Sequence, residues 1–188
     1  MAEPPTQRPP VTCYVGVGSN IEPQVHVPAA LEGLLSRMEV TGSSTFYRTA
    51  PAGRPEQADY VNGVWAVRTH LAPGPLKALL RELEVRLGRR RTADRFASRT
   101  IDLDLLLHGD TVRVGGGLDL PDPDVRHRAF VAVPLLELAP ELRLPDTGEP
   151  LARVVDRLGT DGLEALEALE ALTAALRTRL ATASGSAR

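Results

Sequence analysis

Two aspartates separated by one residue, Asp102 and Asp104, are the side chains of this sequence best placed to do chemistry. In a strand, alternate side chains point to opposite faces, so both carboxylates would share one face and the flanking aliphatic residues the other. Neighbouring carboxylates repel each other unless one is protonated or a cation compensates them, and oxygen ligands on a rigid strand suit Mg²⁺ that carries substrate phosphates. Taken alone, the pair is more typical of a solvated strand face.

An arginine-rich segment just before the aspartates favours the magnesium interpretation. Its five arginines are Arg89, Arg90, Arg91, Arg95 and Arg99. Guanidinium groups bind phosphate oxygens well, and phosphoryl-type transfer needs a metal on the phosphates and cations where charge develops. By itself the segment would suit a solvated basic loop or an RNA-backbone patch. The sequence has no G-x-x-x-x-G-K-[ST] motif, so side chains would have to bind the phosphates.

Length and composition favour one compact domain without a strong overall field. The chain has 188 residues, of which 43% are hydrophobic and 24% charged, and its formal net charge is −2. This balance does not point to a nucleic acid or a membrane surface as partner. The single cysteine, Cys13, cannot form an intrachain disulfide, and neither a signal peptide nor a membrane-length apolar stretch is apparent. We therefore expect a cytoplasmic protein.

Hydrophobic periodicity predicts elements in the order βαββαβ, with additions. Strands are expected at residues 11–17, in the segment 40–47, at 60–68 and at 101–107, and helices at 28–38, 76–87 and 129–138. Two strand-helix-strand units on a mostly antiparallel sheet indicate an α+β, ferredoxin-like α/β/α sandwich. Residues 1–11 are expected to be a disordered lead and 12–160 the domain. Residues 161–188, which repeat Leu-Glu-Ala, are expected to form a helical, low-complexity appendage.

The segment RFASRTIDLDLL, residues 95–106, resembles the signature of the 6-hydroxymethyl-7,8-dihydropterin pyrophosphokinases. Four other blocks agree in order and spacing: VGSN at 17–20, FYRTAP at 46–51, QADYVN at 57–62 and RAF at 128–130. The resemblance covers roughly residues 14–155. It implies a ferredoxin-like monomer that transfers pyrophosphate from ATP to the pterin hydroxymethyl group in folate biosynthesis, by attack on the β-phosphorus with release of AMP.

The resemblance also implies roles for individual residues. By position, Asp102 and Asp104 match ligands of two Mg²⁺ ions, and Arg89 and Arg99 match arginines that assist transfer. The residues that match ATP contacts are Glu84, Arg91, Arg95 and Arg128. The residues that match pterin contacts are Thr49, Tyr60, Asn62, Phe96 and Phe130. Where many members of the family carry a histidine between two prolines, this chain has Asp122, to which we assign no role.

Two alternatives come from other functional classes. A ferredoxin-like RNA-binding module could use the arginine segment, but such modules more naturally show aromatics on the central strands and a basic surplus, whereas aromatics make up 4% of this chain. A noncatalytic relative could bind pterin or nucleotide only, but both aspartates and both arginines of the catalytic type are present. We therefore expect an enzyme whose partners are two small molecules, ATP and the pterin, with no nucleic acid and no membrane.

Overall fold

A computed structural model describes residues 9–51, 53–90, 94, 97–167, 169 and 178. The strands are β1 (Val11–Ser19), β2 (Glu39–Ser43), β3 (Tyr47–Thr49), β4 (Tyr60–Thr69), β5 (Asp102–His108) and β6 (Glu164–Ala165). The helices are α1 (Pro23–Leu35), α2 (Pro73–Arg86), α3 (Asp124–His127), α4 (Ala129–Leu138) and α5 (Leu151–Leu158). Strands pair in the order β5-β1-β4-β3-β6, and β2 also pairs with β4, always antiparallel. The predicted mostly antiparallel α+β sandwich is confirmed. None of the helices in the described ranges is long and apolar enough to cross a bilayer.

Alternation along the central strands builds a core on each face of the sheet. On one face, Val15 of β1 and Leu103 of β5 belong to the core that includes buried leucines of α1 and α2. On the other face, Val64 of β4 and Leu106 of β5 pack with buried residues of α4 and α5. Because β5 presents Leu103 to the first core, its neighbours Asp102 and Asp104 point to the α4 side. The register of β5 therefore decides where the carboxylates emerge.

The first predicted helix and the strand expected near residues 40–47 differ from the observed elements. Helix α1 begins at Pro23, five residues before the predicted start, and Pro28 lies inside it. The first turn of a helix has no intrahelical partner for its N–H groups, so a proline is tolerated there. Pro23 occupies this position, and the prediction wrongly gave it to Pro28. The single strand expected near residues 40–47 is divided into β2 and β3. Between them the ladder is modified at Ser44, whose N–H donates to the Val64 carbonyl at 3.0 Å while its hydroxyl accepts from the Val64 N–H at 2.8 Å.

The start of the leucine-rich tail joins the sheet. Glu164 and Ala165 pair with Arg48 and Tyr47 of β3, so the predicted helix is wrong at these two residues. An edge strand leaves backbone N–H and C=O groups unpaired, and pairing with them outweighs the helix propensity of the Leu-Glu-Ala repeat. Leu169 is buried in the core beneath α1 and α2. The division of the chain at residue 160 stays a prediction, and residues 1–8, 170–177 and 179–188 lie outside the described residues.

Candidate active site

Asp102 and Asp104 lie on one face of β5, beside a strand that carries glycines opposite them. Gly18 of β1 pairs with Asp102, and Gly16 pairs with Asp104. A Cβ atom at Gly18 would lie 3.1 Å from Oδ1 of Asn62 and 3.7 Å from Cβ of Asp102. The first of these distances is tighter than ordinary van der Waals contact. The glycines therefore leave an open floor between the aspartates on one side and Asn62 on the other.

Two cavities meet at the aspartates beside this floor. The first cavity has a volume of about 250 Å³ and is lined by four predicted pterin residues, Thr49, Tyr60, Asn62 and Phe130, together with Arg99 and Arg128. The second cavity, of about 420 Å³, is lined by three cationic side chains, Lys77, Arg81 and Arg89. Asp102, Asp104 and Asp122 line both cavities. The carboxylates thus form a wall between a partly aromatic cavity and a second cavity that carries three cations and, besides the wall itself, Asp119.

Two arginines hold Asp102 from opposite ends of the arginine segment. Nη1 of Arg89 lies 2.5 Å from Oδ1, and Nη1 of Arg99 lies 2.5 Å from Oδ2. Burial acts to raise the pKa of the Asp102 carboxyl, but the charge of Arg89 and the hydrogen bonds from both guanidinium groups outweigh it and hold the pKa below its ordinary value. Only 19% of the Asp102 side chain is exposed. Asp102 is therefore anionic and already surrounded by positive charge.

Glu84 lies behind the wall, and it lines neither cavity among the described residues. Its side chain is 1% exposed, and Oε1 accepts a hydrogen bond from the Leu103 N–H at 2.8 Å. The same oxygen lies 3.6 Å from Nη1 of Arg89. Arg89 also donates to the Ile101 carbonyl at 2.8 Å. The geometry therefore places Glu84 as a support for Arg89 and β5 rather than at the position of a direct ATP contact.

Lys77 is a residue of the site that the sequence analysis missed. Its Nζ lies 2.7 Å from Oδ1 of Asp104, and 14% of its side chain is exposed. A single lysine on α2 carries no local motif, and only the packing of α2 beside β5 brings it to the wall. Its exposure contrasts with that of the Asp104 side chain, which is 49% exposed. Asp104 is therefore the more accessible of the two carboxylates.

The predicted pterin residues come together on the opposite side of the floor. The Asn62 amide donates to the Thr49 hydroxyl at 2.8 Å, which fixes the orientation of the amide. Cζ of Arg99 lies 5.8 Å from the centre of the Tyr60 ring, within range of a cation–π contact. Arg128, predicted as an ATP contact, lines the same cavity as these residues. The predictions for Phe96, Arg91 and Arg95 lie outside the described residues.

Asp122 adds a third carboxyl group, which holds its proton to a higher pH than usual. Burial raises the pKa of the Asp122 carboxyl to about 6, and repulsion from Asp104 and Asp124 adds to this effect, against the opposing hydrogen bond that the Asp124 N–H donates. A folded-state pKa above the ordinary value of 3.8 means that the folded chain holds the proton more tightly. The free energy of unfolding is therefore expected to fall as the pH rises from about 4 to about 6.

Replacing Asp122 by Asn should accordingly stabilise the protein at neutral pH. The amide keeps an acceptor for the Asp124 N–H, 2.9 Å away in the structure, but carries no charge. Allowing for partial exposure, we expect a gain of about 1 kcal/mol, or roughly 2–4 °C in melting temperature. Thermal unfolding without metal or nucleotide would measure it at pH 7.5 and at pH 4, where the difference should vanish. Equal melting temperatures of the variant and the wild type at both pH values would contradict the prediction.

Comparisons with known proteins show the family of the chain. A profile of the 7,8-dihydro-6-hydroxymethylpterin-pyrophosphokinase (HPPK) family matches residues 14–140. The chain is 39% identical over 140 residues to 2-amino-4-hydroxy-6-hydroxymethyldihydropteridine pyrophosphokinase of Haemophilus influenzae, which covers 73% of this chain and 87% of the relative. It is 40% identical over 159 residues to the Pseudomonas aeruginosa protein of the same name, with 80% and 94% covered.

Solved structures show the same fold. A Plasmodium falciparum HPPK-DHPS variant with pteroate superimposes with a TM-score of 0.62 at 10% identity and covers 81% of this chain. Our chain spans 44% of that longer protein, so the likeness concerns the fold of one part of it. Fold, family profile and sequence identity over most of the chain agree, and the protein belongs to the 7,8-dihydro-6-hydroxymethylpterin-pyrophosphokinase family.

Proposed function

We propose that the two cavities divide the substrates between them, with transfer taking place at the carboxylate wall. The chain is an ATP-dependent pyrophosphokinase that transfers pyrophosphate from ATP to 6-hydroxymethyl-7,8-dihydropterin in folate biosynthesis. In our proposal the first cavity takes the pterin, because it offers Tyr60, Phe130 and the oriented amide of Asn62. The second takes the triphosphate, because three cationic side chains line it.

The observation that carries this division is that Asp102 and Asp104 line both cavities. A substrate in either cavity therefore reaches the same two carboxylates. In the transfer, the hydroxymethyl oxygen forms a bond to the β-phosphorus, and the bond between the β-phosphorus and the oxygen bridging it to the α-phosphate breaks. The hydroxyl proton is released, AMP leaves with that oxygen, and the pterin diphosphate is formed. This chemistry needs the two substrates aligned across a narrow boundary.

The carboxylates also fit magnesium. Among the described residues, no group of three or more His, Cys, Asp or Glu side chains is arranged to hold a metal ion. Mg²⁺ characteristically takes one or two protein carboxylates and completes its octahedron with substrate phosphates and water. We propose that Asp102 and Asp104 hold two Mg²⁺ ions together with ATP, and that the ions neutralise the phosphate charge. Because both oxygens of Asp102 now contact an arginine, binding of a metal ion at Asp102 would require Arg89 or Arg99 to move away from one of them.

The arginines then act on the phosphates. Arg89 lines the second cavity and Arg99 the first, so they approach the wall from opposite sides. We propose that guanidinium groups released from Asp102 bind phosphate oxygens and stabilise the charge that develops during transfer. Arg128, which lines the first cavity, would contact the transferred group after it reaches the pterin. A monomeric state and a cytoplasmic location remain predictions.

The direct test is AMP release from ATP and Mg²⁺, measured with and without the dihydropterin. We expect AMP and pterin diphosphate to appear in equal amounts, only when the pterin is present, and to disappear when a chelator removes the metal. ADP as the nucleotide product would indicate single phosphoryl transfer instead. AMP formed equally well without pterin would contradict the assignment of the first cavity.

A further inference from the structure

A buried amide next to the site joins three segments of the chain. Asn20, which directly follows β1, is 6% exposed. Its Oδ1 accepts a hydrogen bond from the Arg99 N–H at 2.7 Å. Its Nδ2 lies 3.3 Å from the Ala58 carbonyl, 3.2 Å from the Ser98 hydroxyl and 3.4 Å from Oε1 of Gln57. The end of β1, the loop before β4 and the arginine segment therefore meet at one side chain.

The chemistry of these partners fixes how the amide is oriented. A backbone N–H can only donate and a backbone carbonyl can only accept, so Oδ1 must face Arg99 and Nδ2 must face Ala58. The amide nitrogen has two hydrogens for three acceptors, so it serves two of them at a time. Asparagine is the side chain of this size that offers a donor and an acceptor together. Aspartate has the same shape but lacks the donor.

The same turn also holds the other side of the Arg99 peptide. The backbone N–H groups of Asn20 and Ile21 donate to the Arg99 carbonyl at 3.1 and 3.2 Å, and the Ser19 hydroxyl donates to the Thr100 carbonyl at 2.6 Å. Both polar groups of the Arg99 backbone are therefore bonded to residues at the end of β1. Because both its N–H and its C=O are bonded, the backbone of Arg99 is fixed, and so is the point from which its side chain extends.

The position of Arg99 matters because its guanidinium connects the two halves of the site. It lies 2.5 Å from Asp102, and its Cζ lies 5.8 Å from the centre of the Tyr60 ring, two residues after Ala58. Asn20 lines neither cavity within the described part of the chain. We propose that Asn20 is a positioning residue for pyrophosphoryl transfer, whose carboxamide sets Arg99 against the pterin-side loop at residues 53–59. This inference rests on the function proposed above.

Two variants separate the acceptor role of the Asn20 amide from its donor role. Replacing Asn20 by Ala removes both the acceptor and the donor. We expect kcat to fall by about 10- to 100-fold, because small displacements of a catalytic group lower the rate strongly. The KM for ATP should change little, since Asn20 lies away from the second cavity. Replacing Asn20 by Asp keeps the acceptor for Arg99 and loses the donor to Ala58, so an intermediate kcat is expected. Initial rates of pterin-dependent AMP release at saturating and limiting substrate give both constants.

Hydrogen exchange supplies a readout that does not depend on turnover. In the Ala variant, peptides that cover residues 97–101 and 56–60 should both exchange faster than in the wild type. In the Asp variant, exchange should increase more at 56–60 than at 97–101, because the acceptor for the Arg99 N–H is kept while the donor to the Ala58 carbonyl is lost. A matched control is Ser44→Ala, which removes a hydroxyl that is 1% exposed and bonded to the Val64 N–H, remote from the arginine segment. It should lower thermal stability without lowering kcat or altering exchange at residues 97–101.

The possible outcomes distinguish the inference from the function on which it rests. If the wild type releases no pterin-dependent AMP, the proposed function fails, and the exchange pattern still decides whether Asn20 positions Arg99. If the wild type is active and the Asp and Ala variants keep wild-type kcat, Asn20 is not a positioning residue. Should the Ala variant fail to fold, kcat and hydrogen exchange measured on the Asp variant and on Ser98→Ala decide whether Asn20 positions Arg99. Unchanged exchange at 56–60 in the Asp variant would overturn the proposal.

Discussion

Replacing Asp102 by Asn is expected to lower kcat by roughly 1,000-fold, the scale of losing a group that organises transition-state charge. The substitution keeps the shape of the side chain and removes the negative charge that Arg89 and Arg99 share. It also removes a carboxylate proposed as a magnesium ligand. Pterin-dependent AMP release would measure the rate, and calorimetric titration with Mg²⁺ and a nonhydrolysable ATP analogue would measure metal binding without turnover.

The same variant should also be less stable, because Arg99 would lose its carboxylate partner and Arg89 would keep only Glu84, 3.6 Å away. Leaving charged groups unsatisfied at a partly buried site costs about 1–3 kcal/mol, so the fold should persist with a lower melting temperature. The matched control is Asp146→Asn, which breaks the ion pair of Asp146 with Arg126 but touches neither cavity. That variant should keep wild-type kcat. Near-normal turnover in the Asp102 variant would remove the metal hypothesis.

Replacing Arg99 by Ala is expected to lower kcat by about 1,000-fold or more, the range found for arginines that stabilise phosphoryl-transfer transition states. Pterin binding should weaken much less, because Thr49, Asn62 and Phe130 still line the first cavity. Arg89→Ala should lower kcat in the same way. Steady-state kinetics with each substrate varied separates the effect on kcat from the effect on pterin KM.

The two arginine variants should differ in stability. Without Arg89, the buried carboxylate of Glu84 loses the cation 3.6 Å away, whereas without Arg99 the Asp102 carboxylate still has Arg89. Arg89→Ala should therefore melt at a lower temperature than Arg99→Ala. A suitable control is Arg37→Ala, an arginine that pairs with Glu82 at the surface and lies away from both cavities. An unchanged kcat in Arg99→Ala would contradict a catalytic role.

Local patterns predicted the elements of the fold because strand alternation and helix periodicity are written in neighbouring residues. The helix at residues 129–138 coincides with α4, and the strands near residues 11, 60 and 101 were found with small errors in length. Where the prediction failed, a tertiary contact decided. Ser44 divides β2 from β3 by bonding to β4, and the unpaired edge of β3 draws residues 164–165 out of a helical repeat.

Part of the site could be predicted from the sequence for the same reason. The alternation of Asp102 and Asp104 with Leu103 placed both carboxylates on one face, and the sheet confirms it. The solvated strand face that the pair taken alone suggests describes Asp104, which is 49% exposed, but not Asp102, which is 19% exposed. Two arginines cover Asp102, and spacing along the chain does not show which side chains lie over a strand.

The sequence by itself determined the family, the strand that carries the aspartates and the residue types that we propose to bind phosphate. The signature that indicates the family consists of consecutive residues, so it can be recognised from the sequence alone. Only the tertiary structure decided that Lys77 contacts Asp104, that Glu84 supports Arg89 from behind the wall, and that Asn20 holds Arg99. These contacts join residues 5 to 79 positions apart, most of them on different elements, and their geometry depends on how α2, the arginine segment and the end of β1 pack around β5.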